Sequence, residues 1–361
     1  MGWKIKYFFQ LHKWLGRILG VIFVVISLSG TLLLFRKDVD RYVNKTIYHR
    51  ESHKVKLSVD SVYRIVQEKY PDIKKIVLHD FPENRYEPYE FMLYRFQNDL
   101  FDNSLAYVFI DQYTGQVIRD GNYEESVGMF FRWLYSLHYN LLSGRLGEMI
   151  VVIVGVLMMI SIISGVIVYK KHFWKTLTFQ ITFKKRKNKA SLWHRVLGVW
   201  SIVLNSILII SGIWINWPSL TASHTSHHQR DYRTGSIGAN LDSILKYTKA
   251  SYPSFAVIAI DIPQLNNMPI VVKGHISTNK FPLYAGKSSF ILFDTKTGAP
   301  IEFKNIEESS FDKRMSWINY QLHIGAWGGY LVRFFYLFIG MFPVVLGFTG
   351  LYIWYKKKEK R

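Results

Sequence analysis

Four long apolar runs dominate the hydrophobic pattern of the chain. Each holds roughly 20 residues or more with almost no charge, which is long enough to cross a bilayer as a helix. The runs are Trp14–Phe35, Leu146–Tyr169, Val196–Trp217 and Tyr330–Tyr355. The first run is too long for a cleavable signal peptide, lacks a small-residue cleavage site and ends in the charged stretch FRKDVD. The pattern therefore predicts a membrane protein with four helical spans.

Basic residues predict how these spans are oriented. The segment Lys170–Arg195 carries nine Lys or Arg residues and no acid, and the tail Lys356–Arg361 carries five. With four spans, both segments lie on the side of the N-terminus, and the positive-inside rule makes that side cytoplasmic. The long segments Arg36–Leu137 and Pro218–Leu322 then face the periplasm. The formal charge of +20 lies mostly beside the membrane, so we expect a lipid bilayer as partner and no nucleic acid.

The two halves of the chain repeat each other at an offset of about 182 to 185 residues. The stretches SLSG and IISG end at Gly30 and Gly212, and IISGVIVYKK and GFTGLYIWYKK contain Gly165 and Gly350. Between the spans, the helical patterns VDSVYRIVQEKYP and LDSILKYTKASYP precede VFIDQYTGQVI and ILFDTKTGAPI, which are typical of hairpins with a Gly at the tight turn. Each half is therefore expected to be one span, one periplasmic α+β domain and one span back. The predicted fold is a four-span helical bundle with two such domains.

These patterns divide the chain into eight segments. The glycines of LLSGRLG and HIGAWGG are expected to break the helix just before the second and fourth spans. The expected segments are helix 1 (1–35), periplasmic domain 1 (36–137), helix 2 with an outer extension (138–170), a basic cytoplasmic loop (171–193), helix 3 (194–217), periplasmic domain 2 (218–322), helix 4 with an outer extension (323–355) and a basic cytoplasmic tail (356–361).

The repeat places one histidine at the start of every span. LHKWLG and WHRVLG carry His12 and His194 at the inner edge, and SLHYNLLSG and QLHIGAWGG carry His138 and His323 at the outer edge. Ionisable residues at membrane depth are costly and usually functional, and histidine is a common axial ligand of haem iron. We therefore predict two bis-histidine haems, with His12 opposite His194 and His138 opposite His323. The chain has no cysteine, which excludes thiolate-held clusters and covalent haem attachment.

Four basic residues are candidates to pair with haem propionates. Lys13 and Arg195 follow the inner histidines directly and are repeat equivalents. Arg145 and Arg333 are the candidates at the outer edge, although they are not repeat equivalents. The alternative for all four is ordinary snorkelling of basic side chains at helix ends.

A further group of histidines lies in the stretch SHTSHHQ after the third span and has no counterpart in the first half. It contains His224, His227 and His228. These side chains either touch a metal-bearing substrate or belong to a solvated polar loop.

The predicted hairpins with their preceding helices resemble PepSY domains. Together with LHKWLGRILGVIFVVISLSG and WHRVLGVWSIVLNSILIISG, they make nearly the whole chain resemble the PepSY-associated transmembrane helix family. That family includes iron-regulated inner-membrane proteins and ferric-siderophore reductases that carry b-type haems on membrane histidines. The resemblance implies that the four repeat histidines are ligands of two haem b groups. It also implies an oxidoreductase of the bacterial inner membrane that acts in iron uptake.

Three functions are open at this point. The first is a transmembrane electron carrier that reduces a periplasmic acceptor, for which the resemblance implies a ferric siderophore. Its electrons would come from quinol or a cytoplasmic reductase, because the sequence has no G-x-G-x-x-G or P-loop for a nucleotide donor. The second is a haem-free PepSY protein that binds or regulates a periplasmic partner such as a peptidase. The third is a haem or metal transporter, which would favour more polar residues in the spans.

Overall fold

The structure is a computed structural model. It describes residues 3–48, 55–71, 73, 75–96, 103–121, 127–180, 189–221, 237–264 and 268–358. The chain divides into two compact units. One unit comprises Met1–Phe35, Trp133–Ala222 and Asn319–Arg361, and the other comprises Arg36–Arg132 and Ser223–Ile318. We call the first the helical unit and the second the sheet unit.

Thirteen α-helices lie within the described residues. They are α1 (Trp3–Leu33), α2 (Arg36–Val43), α3 (Lys45–Tyr48), α4 (Val59–Lys69), α5 (Val127–Asn140), α6 (Gly144–Tyr169), α7 (Phe173–Leu177), α8 (Lys189–Trp200), α9 (Ile202–Asn216), α10 (Pro218–Thr221), α11 (Leu241–Ser251), α12 (Phe311–Ile324) and α13 (Gly329–Lys358).

The helical unit contains the candidate membrane spans. Three stretches are long and apolar enough to cross a bilayer, namely Trp3–Leu33, Gly144–Leu177 and Ala326–Lys357. The third predicted span is instead a bent pair, in which α8 and α9 meet at 65° around Ser201. Serine and a nearby glycine (Gly198) are typical of such kinks. The described residues thus hold three spans, or four if the bent pair crosses as one.

The spans pack in a ring. Helix α1 contacts α6 and α13, α8 contacts α13, and α9 contacts α6. The chain breaks before α6 and before α13, as the glycines predicted. Leu141 and Leu142 have φ of 50° and 59°, and Gly325 and Gly329 both have φ of 63°. His138 and His323 therefore lie on separate helices, α5 and α12, in the segments that the sequence assigned to outer extensions of the second and fourth spans.

Helix α12 folds back beside the start of α13. The Tyr336 hydroxyl donates to the Leu322 carbonyl at 2.6 Å. The tight turn leaves no room for a side chain at Gly325, where a Cβ would lie 2.9 Å from the Tyr336 ring. His323 consequently lies beside the second turn of α13 and not one long helix above it. An unbroken helix from His323 to Gly350 would be about 40 Å long, and the fold-back shortens that distance.

The sheet unit is built on one eight-stranded antiparallel sheet. Its strands are β1 (Lys75–Asp80), β2 (Tyr89–Phe96), β3 (Asn103–Ile110), β4 (Val117–Gly121), β5 (Phe255–Pro263), β6 (Ile270–Ile276), β7 (Ser289–Phe293) and β8 (Pro300–Lys304).

The strand order joins the two repeats into one sheet. The order is β4-β3-β2-β1-β5-β6-β7-β8, so the first strand of each repeat pairs with the first strand of the other. One hydrophobic core draws on both repeats, including the fully buried Tyr63, Phe91, Ile260 and Phe293. The sequence predicted two α+β domains, and the structure has one shared sheet and one shared core.

The hairpin turns and helix caps of the sheet unit occur at corresponding positions of the two repeats. Both predicted hairpins are present, and each turn has a glycine with φ of 72°, at Gly115 and Gly298. The helices α4 and α11 cap each other. The Asp242 carboxylate accepts the amide N–H groups of Val59 and Asp60, each at 3.0 Å, and Asp60 accepts the amide N–H of Leu241 at 3.0 Å.

Candidate functional site

The helical unit brings the four repeat histidines together as two pairs. The imidazole centres of His12 on α1 and His194 on α8 lie 6.2 Å apart, with ring planes at 75°. Those of His138 on α5 and His323 on α12 lie 5.9 Å apart, with ring planes at 37°. We call these the first pair and the second pair. Each pair takes one histidine from each repeat, which is the pairing that the sequence predicts.

A neighbouring helix anchors the Nδ1 atom of every imidazole. His12 Nδ1 lies 2.8 Å from the Ser161 carbonyl on α6. His138 Nδ1 lies 2.8 Å from the Ile26 carbonyl on α1. A carbonyl can only accept, so Nδ1 carries the proton in both rings. The lone pair is then on Nε2, which is the tautomer that binds a metal through Nε2.

The second repeat anchors its histidines in the same way. His323 Nδ1 lies 3.1 Å from the Leu208 carbonyl and 2.9 Å from the Ser211 hydroxyl on α9. His194 Nδ1 lies 3.0 Å from the Thr349 hydroxyl on α13. That hydroxyl donates to the Val345 carbonyl at 2.7 Å, so it accepts from the imidazole. In all four imidazoles, Nδ1 therefore donates to a neighbouring helix and Nε2 carries the lone pair.

Each imidazole also packs against a glycine on the helix that anchors it. A Cβ built on Gly30 would lie 2.5 Å from Cε1 of His138, and one on Gly165 would lie 3.1 Å from Cε1 of His12. The corresponding distances are 3.1 Å from Gly212 to His323 and 3.4 Å from Gly350 to His194. These are the four glycines that define the repeat. At Gly30, Gly165 and Gly212 the anchoring helix lies too close to the imidazole for a Cβ without displacement, whereas at Gly350 a Cβ would be at ordinary contact distance.

The spacing of each pair fits one metal ion between two imidazoles. With metal–nitrogen bonds of about 2 Å and about 1 Å from nitrogen to ring centre, two axial imidazoles have centres about 6 Å apart. In the described part of the chain, no group of three or more His, Cys, Asp or Glu side chains could hold a metal ion. Each pair thus offers two imidazoles at a spacing that one metal ion could bridge, which suits a metal whose other ligands come from a planar macrocycle.

Glycines that follow the histidines of the first pair border open space. Gly16 and Gly20 follow His12 by one and two turns of α1, and a Cβ on either would meet no described atom within 4 Å. Gly20 is buried, so this space is interior. In the other repeat, a Cβ on Gly198 would meet only Leu346, at 3.8 Å. The motifs LHKWLG and WHRVLG therefore combine a histidine with an open position one turn further along the helix.

The four candidate partners of the haem propionates lie on four different helices. Arg195 donates from Nη2 to the Ser191 hydroxyl at 2.7 Å, and its guanidinium lies 5.9 Å from the Tyr169 ring centre. Arg333, near the start of α13, lies over Tyr330 at 5.4 Å. Arg145 is in the first turn of α6, and Lys13 follows His12 on α1. His224, His227 and His228 lie outside the described residues.

The sequence interpretation missed the anchoring groups. The repeated Ser-Gly and Thr-Gly pairs in the spans marked the duplication, and the hydroxyls of Ser29, Ser211 and Thr349 in three of these pairs also contact histidines. The accepting carbonyls belong to Ile26, Ser161 and Leu208, outside these pairs. The sequence interpretation also missed Arg17, which lies within the first apolar run. The sequence does contain a signal. The stretch LHKWLGR ends in Arg17, whereas the corresponding stretch WHRVLGV of the second repeat ends in Val199.

The sheet unit holds a second group of perturbed ionisable residues. Burial raises the pKa of Glu90 from 4.5 to about 7, and the nearby Asp80 carboxylate adds to the shift. Burial lowers the pKa of His79 from 6.5 to about 3, and the Lys287 ammonium lowers it further. A small cavity beside Glu90 is also lined by Lys37, which forms an ion pair with Asp80. These groups are distinct from the histidine pairs of the helical unit.

These features define a helical membrane protein with an additional antiparallel sheet unit. The chain matches the family described as the PepSY-associated TM region over residues 9–357, which is nearly its whole length. The chain belongs to this family, and the resemblance noted from the sequence is confirmed. No curated protein matches the chain.

Proposed function

We propose that the protein is a di-haem b electron carrier of the bacterial inner membrane. The observation that carries this proposal is the pairing of four anchored imidazoles at 6.2 and 5.9 Å. His12 and His194 would hold one haem, and His138 and His323 the other. When bound, haem supplies a metal centre that gains and loses one electron.

The chain's own residues prepare both sites. The carbonyl and hydroxyl acceptors hold the proton on Nδ1 and leave Nε2 free, and the repeat glycines let the anchoring helices approach. Oriented ligands of this kind lower the reorganisation that binding requires. From His12 to Ile26, which anchors His138, the rise of α1 is about 21 Å. Two sites at this separation would divide a hydrocarbon core about 30 Å thick into shorter electron-transfer steps.

The direction of electron flow rests on charge and on family resemblance. The basic loop and tail favour a cytoplasmic location for the first pair, and the second pair then lies towards the periplasm. We propose quinol or a cytoplasmic reductase as the electron donor and a ferric siderophore as the periplasmic acceptor. One electron would convert Fe(III) to Fe(II) in the chelate. Oxygen-rich chelators hold Fe(II) less tightly, so the iron would be released.

The proposal is tested by haem content and absorbance of the detergent-purified full chain. Oxidised and dithionite-reduced spectra should show b-type bands at two haems per chain. His194→Ala and His323→Ala should each lower the content from two to one, because each leaves a different pair intact. His275→Ala, on β6, is the matched control and should keep both haems. Reduced protein mixed with a ferric hydroxamate should be reoxidised.

A wild-type protein that stays colourless after expression with added haem would refute the proposal. It would favour the haem-free binding or regulatory protein as the function of this chain. Substoichiometric haem that exchanges with free haem would instead favour transport.

A further inference from the structure

Arg17 follows His12 on α1 and has a buried side-chain nitrogen without a hydrogen-bond partner in the described part of the chain. Among the described residues, the Arg17 Nε has no hydrogen-bond partner although the atom is buried. The guanidinium lies 5.4 Å from the ring centre of Trp14 and 4.7 Å from that of Trp354 on α13. The two indoles compensate part of the cost of a cation at this depth. An N–H that is buried without an acceptor remains costly, so an acceptor is expected here.

The repeat shows that the fold does not require this arginine. Its equivalent in the second half is Val199, which is buried in α8. A charge within a membrane span that only one repeat carries indicates a function. The fold satisfies the same position with an aliphatic side chain in the other repeat.

Two observations indicate that the Arg17 guanidinium lies near the depth of the first pair. Long helical side chains lean towards the helix N-terminus, and the contact with Trp14 brings the guanidinium close to the level of His12. On α13, Trp354 is one turn beyond Gly350, the glycine that contacts His194. The guanidinium therefore lies between α1 and α13, the helices that carry His12 and the anchor of His194.

A second arginine occupies the matching place on the other side. Tyr169 is one turn beyond Gly165, as Trp354 is beyond Gly350, and Arg195 lies against Tyr169. A macrocycle between His12 and His194 would lie across the line that joins them, so its edges would face α6 and α13. Arg195 is on the α6 side and Arg17 on the α13 side. The two arginines are equivalent in space although they are not equivalent in the repeat.

We propose that Arg17 and Arg195 together bind the two carboxylates of the haem held by the first pair, with Arg17 Nε as a donor. This inference rests on the proposed function. It replaces Lys13, the repeat equivalent of Arg195, by Arg17 as the second partner. An arginine beside the haem favours the reduced state, because the oxidised iron centre carries one more positive charge.

The test compares Arg17→Gln with Lys13→Gln, a neutralised cation of the same helix. Purified proteins in neutral lipid nanodiscs are titrated spectroelectrochemically, and haem is counted per chain. Arg17→Gln should lower one of the two Nernst components by at least tenfold in the reduction equilibrium constant, or 59 mV for one electron. Lys13→Gln should leave both components near their wild-type values. Equal shifts in the two variants, or no shift in Arg17→Gln, would overturn the inference.

Two further arms keep the result decisive. If Arg17→Gln loses haem, Arg17→Lys should restore two haems per chain, and its failure would assign Arg17 to packing. If anionic lipid shifts the wild-type component and Arg17→Gln abolishes that response, Arg17 binds a lipid phosphate and the inference is wrong. A wild-type protein without haem would refute the proposed function, which is a different outcome from an unshifted potential in a di-haem protein.

Discussion

The four repeat glycines allow a graded test of the histidine sites. Each is replaced by alanine, which adds one methyl group against one imidazole. The added carbon would lie 2.5 Å from His138 at Gly30, and 3.1 Å from its histidine at both Gly165 and Gly212. At Gly350 the distance is 3.4 Å. Carbon atoms pack best at about 3.5–4.0 Å, so only the last substitution fits without movement.

These distances set the expected order of effects. Gly30→Ala requires a displacement of about 1 Å, and overpacking of this kind costs about 1–3 kcal/mol. Metal–ligand distances tolerate only about 0.2 Å, so the His138 ligand would be lost from the second pair. Gly165→Ala and Gly212→Ala require a few tenths of an ångström and should keep haem with an altered potential. Gly350→Ala should be neutral or stabilising, because alanine gains about 1 kcal/mol over glycine in a helix.

The assay is haem per chain by pyridine haemochrome, with the thermal midpoint of Soret absorbance as a second readout. Gly30→Ala should hold one haem and Gly350→Ala two. The two variants serve as matched controls, since both add the same methyl group beside an imidazole. Two unaltered haems in Gly30→Ala, or a haem lost from Gly350→Ala, would refute the reasoning from these contacts.

Three other predictions concern space, capping and charge. Gly16→Leu and Gly198→Leu fill the space beside the first pair, so each should reduce the haem content from two to one, measured against protein. Asp242→Ala removes the acceptor of two backbone N–H groups and should destabilise the sheet unit by about 1–2 kcal/mol; Asp60→Ala, which loses one such contact, should lower the thermal midpoint less. The pKa of Glu90 is raised from 4.5 to about 7 in the folded protein, so folding favours the protonated carboxyl. The folded state therefore loses stability as pH rises from 4.5 to about 7, because the unfolded chain releases this proton first. Glu90→Gln should therefore raise the thermal midpoint at pH 8 more than at pH 5, and an equal gain at both would contradict that account.

The sequence predicted the features that recur locally. Apolar runs gave the spans, and the D-x-x-T-G turns gave both hairpins. The repeat predicted which histidines lie near each other, namely His12 with His194 and His138 with His323. The shared sheet was not predictable, because pairing of β1 with β5 joins segments about 180 residues apart and no local pattern specifies it. A physical reason is visible afterwards: β1 and β5 are apolar strands that would each leave an exposed edge in a separate domain.

The bend at Ser201 and the position of Arg17 were missed for different reasons. The bend lies in a continuous apolar run, where hydropathy cannot distinguish a straight helix from two helices at 65°. Arg17 lies near the start of a long apolar run, and the sequence pattern assigned it no role. Its significance depends on Trp354, a residue on another helix, and on a buried Nε that composition cannot reveal.

The duplication explains why neither repeat would be complete alone. Each histidine is anchored by a helix of its own repeat: His12 by α6, His138 by α1, His194 by α13 and His323 by α9. A single repeat can thus orient two imidazoles, yet each pair needs one imidazole from either repeat. The sheet unit follows the same rule, since each of α4 and α11 is capped by an aspartate from the other. Cross-repeat contacts hold both units, and single positions such as Arg17 differ between the repeats without loss of these contacts.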